Sequence, residues 1–431
     1  MSKLQELIQR LCPDGVEYRP LWSLTIWDKN FNGVNRSMQP KIISYPYVLA
    51  NVFDEIEDER GDVRLLSTGI GGRERWTTEE KAGSNLCEGE IIAIPWGGTP
   101  NVKYYKGKFV TADNRIATSS DTAILSNKFL YYWLNNNIDL IAKTYRGAGI
   151  QHPSMSQVLN IVIPVPPLEV QEEIVRILDR FDVYAAELQA ELQARKEQYE
   201  YYRNLLLTFN PAGGAGEADD EQEGSVTTWG GHSYPIQWKT MGEICSRICS
   251  GGTPSTSNKS YYEGEIPWLR TQEVDWKDVY DTEIKISKAA IDNSSAKLMP
   301  ANCVIIAMYG ATAAKACINR IPLSTNQACC NLQINPQIAN YKYVYYWICN
   351  SYKVLKGMGE GSQHNINTNK IKTFPIPIPP LELQEKIVAI LDRFETLVND
   401  LSEGLPAEIA AVKEQYEYYR NRLLTFKEKT A

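Results

Sequence analysis

Residues 161–209 read IVIPVPPLEVQEEIVRILDRFDVYAAELQAELQARKEQYEYYRNLLLTF, and residues 374–426 read FPIPIPPLELQEKIVAILDRFETLVNDLSEGLPAEIAAVKEQYEYYRNRLLTF. The PPLExQE, ILDRF and KEQYEYYRN blocks recur in the same order over too great a length for chance, so the chain is a tandem duplication. Fainter echoes run upstream: EIIAI at 90–94 against VIIAM at 304–308, Asp113-Asn114 against Thr325-Asn326, YYW at 131–133 against 345–347, and GAGIQH at 147–152 against GEGSQH at 359–364. Each unit is a divergent block followed by a nearly constant one.

The constant block reads as a long helix. Its Pro-X-Pro-Pro start, Pro164 to Pro167 and Pro377 to Pro380, cannot be helix interior and marks an extended lead-in. From there Ile174, Leu178, Phe181, Ala185, Leu188, Leu192, Arg195, Tyr199, Tyr202, Leu206 and Phe209 follow alternating steps of four and three. That is a heptad seam with one polar member, running for roughly 54 Å at about 1.5 Å per residue. The second copy keeps the seam through Ile387, Leu391, Phe394, Val398, Leu401 and Leu405, and again from Ile409 through Val412, Tyr416, Tyr419 and Leu423 to Phe426. Two four-residue steps fall together between Leu401 and Ile409, beside Gly404 and Pro406, and a helix-interior proline costs about 3 kcal/mol, so a kink or break is expected there.

Two such seams in one chain bury each other most simply as an antiparallel pair, which needs no long crossing, although the linker is also long enough for a parallel one. The expected division is an N-terminal helical segment 1–19, a first head 20–160, a central spacer helix 161–209, an acidic flexible linker 210–234, a second head 235–373 and a C-terminal spacer helix 374–431. Runs such as EIIAIPW, KFVTA and NCVIIAMYG read as strands, while KFLYYWLNNNIDLIAK and YKYVYYWICNSYKVLK have helical spacing. The fold class is therefore mixed α/β (α+β), with two globular heads joined by two long antiparallel coiled-coil-like helices in a pseudo-twofold internal repeat.

The 431 residues are 43% hydrophobic and 23% charged, which excludes collagen-like, disordered and small disulfide-framework proteins. No run of eighteen apolar residues and no signal peptide is evident, and nine cysteines, an odd number, suit reduced thiols, so the cytoplasm is expected. The net charge of −7 argues at first against nucleic acid, which usually selects a basic footprint.

Little in the chain could catalyse. It has no GxxxxGK[ST], HExxH, GxSxG or paired CxxC motif, and its three histidines are His152, His232 and His364. Cys245 and Cys249 could meet on a helix face, but no second ligand pair follows, so structural thiols are the reading and no metal site is assigned. An amino-methyltransferase would need Asn/Asp-Pro-Pro-aromatic, whereas the Pro-Pro pairs here precede Leu168 and Leu381. No catalytic residue is assigned.

Two divergent heads at a fixed separation suit the reading of two short sites on a linear polymer, and double-stranded DNA, with half-sites about 34–36 Å apart, is the natural one. SGGTPS at 250–255, YYEGEIPWLR at 261–270, STNQA at 324–328 and the FPIPIPPLELQEKIVAILDRF segment together resemble the specificity subunit of type I restriction-modification systems. The first head matches less well, with WGGTP at 96–100 but no IPW block. The resemblance covers essentially the whole chain. It implies two target recognition domains reading a bipartite site, a helical ruler, docking of two adenine methyltransferase subunits, and motor-nuclease subunits in the full complex. AdoMet and ATP would then belong to the partners, with no cofactor in this chain. The competing reading is a non-catalytic scaffold whose heads bind proteins.

Phosphate contacts need Lys or Arg, and base readout favours Arg, Asn and Gln. The first head offers a cluster of Asn101, Lys103, Tyr104, Tyr105, Lys106 and Lys108, with Arg73, Arg75, Arg115 and Arg146 beyond it. The second offers Lys259, Tyr261, Tyr262, Arg270, Gln272, Lys315, Asn326 and Lys356. Any single member could equally be an ordinary solvated residue. The pairs Gln151-His152 and Gln363-His364 recur at one place, either fixing a shared turn or touching phosphate. Glu200, Tyr201, Glu417 and Tyr418 lie off the seam and are the candidates for methyltransferase docking. The tandem AELQAELQ at 186–193 is either a good helix former or a length-adjusting unit worth about 6 Å per four residues.

Counting Lys and Arg against Asp and Glu places the acidity outside the heads: −4 over 161–209, −5 over 210–234 and −3 over 374–431, against 0 over 20–160 and +5 over 235–373. The neutral first head is expected to bind DNA weakly alone and to rely on basic surface from its partners.

Overall fold

The computed structural model describes residues 3–209, 225–229, 231–359, 365–400 and 403–429. The chain divides into two compact units, one running to Leu188 and including the C-terminal segment from Ile409, the other spanning Gln189–Glu408.

The first unit is built on a six-stranded sheet in the order Thr25–Trp27, Asn114–Ser119, Cys87–Pro95, Lys103–Thr111, Val63–Leu66, Trp76–Thr77. The EIIAIP run is its centre because it is apolar on both faces: Ile91, Ile92, Ala93 and Ile94 are all buried. Helix Asn127–Asn136, capped by the Ser126 hydroxyl, packs on that sheet, and a short helix Ile138–Ala142 follows. Outside the sheet, Glu17–Pro20 pairs with the proline-rich lead-in Val162–Val165. The C-terminal segment belongs here too: Val16 donates its amide hydrogen to the Lys427 carbonyl, and Lys429 donates to that of Val16, each at 2.9 Å.

In the second unit the order Cys245–Ser250, Cys329–Ile334, Val304–Ala307, Ala316–Asn319, Asp278–Val279 repeats the first five strands of the first sheet, the fifth running parallel to its neighbour as Val63–Leu66 does. Helix Tyr341–Asn350, capped by the Asn340 side chain, takes the place of Asn127–Asn136. Ser225–Trp229 and His232–Thr240 form a hairpin around Gly231, whose φ of +80° suits glycine, and the second strand continues against Pro375–Ile378. Part of the stretch expected as flexible linker through residue 234 is thus strand, as its SVTTW and HSYPIQW alternation allows. Residues 210–224 and Gly230 lie outside the described residues.

The first spacer is one helix, Leu168–Leu207, whose 40 residues span about 60 Å. The second is broken, as its stutter and proline predict, into Leu381–Asn399 and Leu405–Leu423. Gly404 sits so close beneath the end of the first piece that an added Cβ would come within 2.3 Å of the Thr396 carbonyl oxygen. In the first unit Phe181 meets Tyr416 and Tyr419, each at 5.9 Å between ring centroids, and Ile174 and Leu178 share a core with Leu424. In the second Tyr202 stacks on Phe394 at 5.4 Å, and Leu207 shares a core with Leu383. Seam meets seam within each unit, with the helical segments running in opposite senses.

Candidate nucleic-acid interface

In the first unit the loops after Thr25–Trp27 and Cys87–Pro95 and the loop before His152 come together at one end of the sheet. There the Arg115 guanidinium lies over the Trp96 indole at 4.1 Å, and the His152 imidazole packs on the indole at 5.2 Å. His152 Nδ1 donates to the Trp96 carbonyl at 2.7 Å, and the Gly98 amide donates to the Gln151 carbonyl at 3.1 Å. Arg115 is buried, held by Asp113 at 2.9 Å and by the Asn114 carbonyl. A pocket of about 300 Å³ opens beside them, lined by Lys29, Asn30, Phe31 and Trp96 among others. Arg146 pairs opposite His152 in a two-residue ladder, but its guanidinium donates to the Lys143 and Tyr145 carbonyls and to Gln157, beside a separate cleft. The sequence singles out Arg115, Gln151 and His152 of this group, and not Lys29, Asn30 or the Trp96 indole that packs between them. The usable signal was WGGTP directly after a buried strand.

The cluster expected over 101–108 does not form one patch, because successive residues of Lys103–Thr111 point to opposite sheet faces. Tyr104 donates to Glu90 and packs on Tyr131 of the capping helix, and Lys106 pairs with Glu90 at 3.4 Å. Tyr105 turns the other way against Phe109. Lys108 is engaged by Glu79. Asn101 is buried and donates to the Thr68 and Thr99 carbonyls, while Lys103 donates to that of Ser67, and burial together with Arg64 pushes its ammonium down to about 8. These two residues tie loops together. Arg73 and Arg75 stand apart again, bridged to Glu57, Glu59 and Asp54.

In the second unit SGGTP follows the edge strand Cys245–Ser250, whereas WGGTP follows the central strand Cys87–Pro95, so the two motifs are not counterparts in the fold. The counterpart of WGGTP is YGATA at 309–313, which follows Val304–Ala307. The SGGTP turn is wedged in place: a Cβ on Gly251 or Gly252 would strike Thr325 or the Ser295–Ala296 peptide. Thr253 donates to Gln327 there, and the Gly252 amide donates to the Thr325 carbonyl at 2.9 Å, which brings SGGTP and STNQA together as a motif pair. Lys259 is exposed beside them, and Tyr261 and Tyr262 pack in the Trp268 cluster, with the Tyr262 hydroxyl donating to Pro254. Arg270 pairs with Glu273 and Glu283, and Gln272 is exposed next to it. Lys315, held by Asp275, and Lys356, donating to the Tyr352 hydroxyl, lie with a different group around Trp276. Gln363 and His364 lie outside the described residues. Cys245 and Cys249 stand on a strand rather than a helix, and burial pushes the Cys245 thiol up to about 12, as a neutral core thiol requires.

Each head is fastened to its helix by one network, present twice. Buried Gln171 accepts from the Ser126 amide and donates to the Ile124 and Pro166 carbonyls; buried Gln384 accepts from the Asn340 amide and donates to those of Ile338 and Pro379. Lys128 pairs with Asp179 at 2.7 Å, and Lys342 with Asp392 at 2.6 Å. These residues lie in or beside the blocks shared by both copies, a signal the sequence reading passed over. Of the docking candidates, Glu200 and Glu417 are exposed, and Tyr201 and Tyr418 are 63% and 58% exposed.

Such a duplicated, head-and-helix architecture defines a class of DNA specificity subunits, and the comparisons agree. The type I restriction modification DNA specificity domain matches residues 53–197 and 235–411, and the chain belongs to that family. It is 36% identical over 326 residues to the specificity subunit of the Escherichia coli type I restriction enzyme EcoR124I/EcoR124II, covering 72% of this chain and 74% of that one. It is 32% identical over 363 residues to a putative type I specificity subunit of Haemophilus influenzae, covering 79% and 83%. The fold is like that of the crystallised type I S subunit from M. genitalium, with a TM-score of 0.57 at 16% identity over 95% of this chain and 96% of that one. Among the described residues no helix is long and apolar enough to cross a membrane.

Proposed function

We propose that this specificity subunit reads a bipartite double-stranded DNA site, one half-site per head, with the helices setting the gap and docking two adenine methyltransferase subunits. The observation that carries it is the repeated fastening: Gln171 and Gln384, and Tyr132 and Tyr346 beside them, hold two heads of different surface in the same way on duplicated helices. A constant mount under a variable head is what two independent readers of one polymer need. DNA contacts are assigned in the first head to Trp96, Arg115, Lys29 and Arg146 and the loop of Gln151 and His152, and in the second to the SGGTP–STNQA turn pair with Lys259, Gln272 and Asn326. AdoMet and ATP serve the methyltransferase and motor-nuclease partners. Exchanging residues 235–373 for the second head of another specificity subunit tests the reading. One methylated half-site changes and the other stays; a change in both, or in neither, contradicts it.

A further inference from the structure

The arginine of the KEQYEYYRN block and the last residue of the head helix recur in both units, but they are bonded to each other in the first only. In the first unit Arg420 Nε donates to Asn136 Oδ1 at 2.9 Å, with the guanidinium over the Tyr416 ring at 5.4 Å. The equivalent residues in the second unit are Arg203, over the Tyr199 ring at 5.3 Å, and Asn350. Here Arg203 Nε and Asn350 Oδ1 are both buried and neither has a partner. A buried donor and a buried acceptor with no partner in the protein are unfavourable.

Two further observations coincide at this spot. A cleft of about 530 Å³ opens there, lined by Arg203, Tyr199, Tyr345, Trp276, Glu395 and Cys349, the neighbour of Asn350. Trp276 has a φ of +49°, a left-handed backbone that a bulky residue adopts only against strain, and it packs edge-on to Tyr352 at 5.3 Å. Two polar atoms without a protein partner, a cleft beside one of them and a strained residue mark an arrangement with somewhere lower to go.

We propose that the joint of the second head is an open latch, with a closed arrangement in which Arg203 Nε donates to Asn350 Oδ1 as Arg420 does to Asn136. DNA on the second half-site drives it shut. The driver rests on the DNA-reading function above; the latch rests on the unpaired atoms. A ligand shifts an equilibrium only through interactions that differ between its two states. Groups that bond only in the closed state therefore enter the DNA affinity, and Arg420 with Asn136, already bonded, do not.

The test uses the full chain assembled with its methyltransferase partner, titrated with a duplex carrying the methylated site and with one whose second half-site is scrambled. Arg203→Ala and Asn350→Ala are each expected to weaken the intact site about tenfold or more, in line with a hydrogen bond to a charged group. The double variant is expected to lose no more than either single one. Neither variant changes binding to the scrambled duplex, and Asn136→Ala changes neither duplex. Additive losses in the double variant, no loss at all, or an equal loss in Asn136→Ala each overturn the latch. A wild-type complex with no preference for the intact site overturns the driver and the DNA reading together, which separates that failure from failure of the latch alone.

Discussion

Tyr132 donates its hydroxyl hydrogen to Asp179 at 2.6 Å, with Asp182 at 2.7 Å on its other side, and the same arrangement recurs where Tyr346 stands 2.6 Å from both Asp392 and Glu395. Burial and the paired carboxylates hold both phenols well above the ordinary tyrosine range, so they stay donors. The bond joins head helix to spacer helix. Tyr132→Phe and Tyr346→Phe are each expected to destabilise their unit by about 1–2 kcal/mol, the lower part of the range for a charge-assisted bond because the aspartates are one-third exposed. Urea unfolding measures it; two variants indistinguishable from wild type would remove the network from the account of how the heads are held.

Asp28 sits at the floor of the first head's loop cluster. It is buried, its Oδ1 has no partner, and burial raises its carboxyl to about 6 despite Lys29 and Arg115 nearby. A carboxyl with a raised folded-state pKa favours folding while protonated, so its contribution is complete below about pH 4 and is lost as pH rises through 6. Asp28→Asn, neutral throughout, is expected to be about 2–3 kcal/mol more stable than wild type at pH 7, with the advantage vanishing below pH 4. Thermal unfolding from pH 4 to 8 would show a flat difference if the Asp28 carboxyl is not the cause.

His152 is committed to the Trp96 carbonyl, which supports a turn-fixing role over a phosphate contact. His152→Ala is expected to weaken binding of the first half-site about tenfold while leaving the dependence of affinity on salt unchanged. A salt slope reduced by about one would instead assign His152 to a phosphate.

Tyr201 and Tyr418 project from equivalent positions, each edge-on to its neighbouring tyrosine at 5.4 and 5.3 Å. Replacing both with alanine is expected to leave thermal stability within about 0.5 kcal/mol, as for exposed sites, and to weaken methyltransferase association by about 2 kcal/mol per site. Analytical ultracentrifugation of the reconstituted complex reads both stoichiometry and affinity; full assembly at wild-type affinity would place the docking surface elsewhere.

The duplication, the long helix and the break near Gly404 were legible because they depend on periodicity and proline within short stretches. The sheet was not. Its order pairs Thr25–Trp27 with Asn114–Ser119, about ninety positions on, and nothing local encodes that partner. Reading Asn101 to Lys108 as one basic patch ignored the two-residue alternation of the strand that carries most of it. Matching WGGTP to SGGTP by composition alone put a central-strand turn against an edge-strand turn. The partnerless Arg203 Nε and Asn350 Oδ1 were beyond reach, since the sequence repeats their counterparts and conceals that only one pair is bonded.

If two heads read two half-sites at a distance set by the helices, the gap between those half-sites follows the length of the spacer. Deleting one AELQ unit from 186–193 shortens the spacer by about 6 Å, at most two base-pair steps of roughly 3.4 Å. Methylated adenines are then mapped across the genome of a host expressing wild type or the deletion with its methyltransferase partner. Wild type is expected to mark two short specific sequences separated by a fixed gap, and the deletion to mark the same two sequences with a gap one or two base pairs shorter. An unbroken single motif, or a deletion that leaves the gap unchanged while methylation persists, would contradict the account.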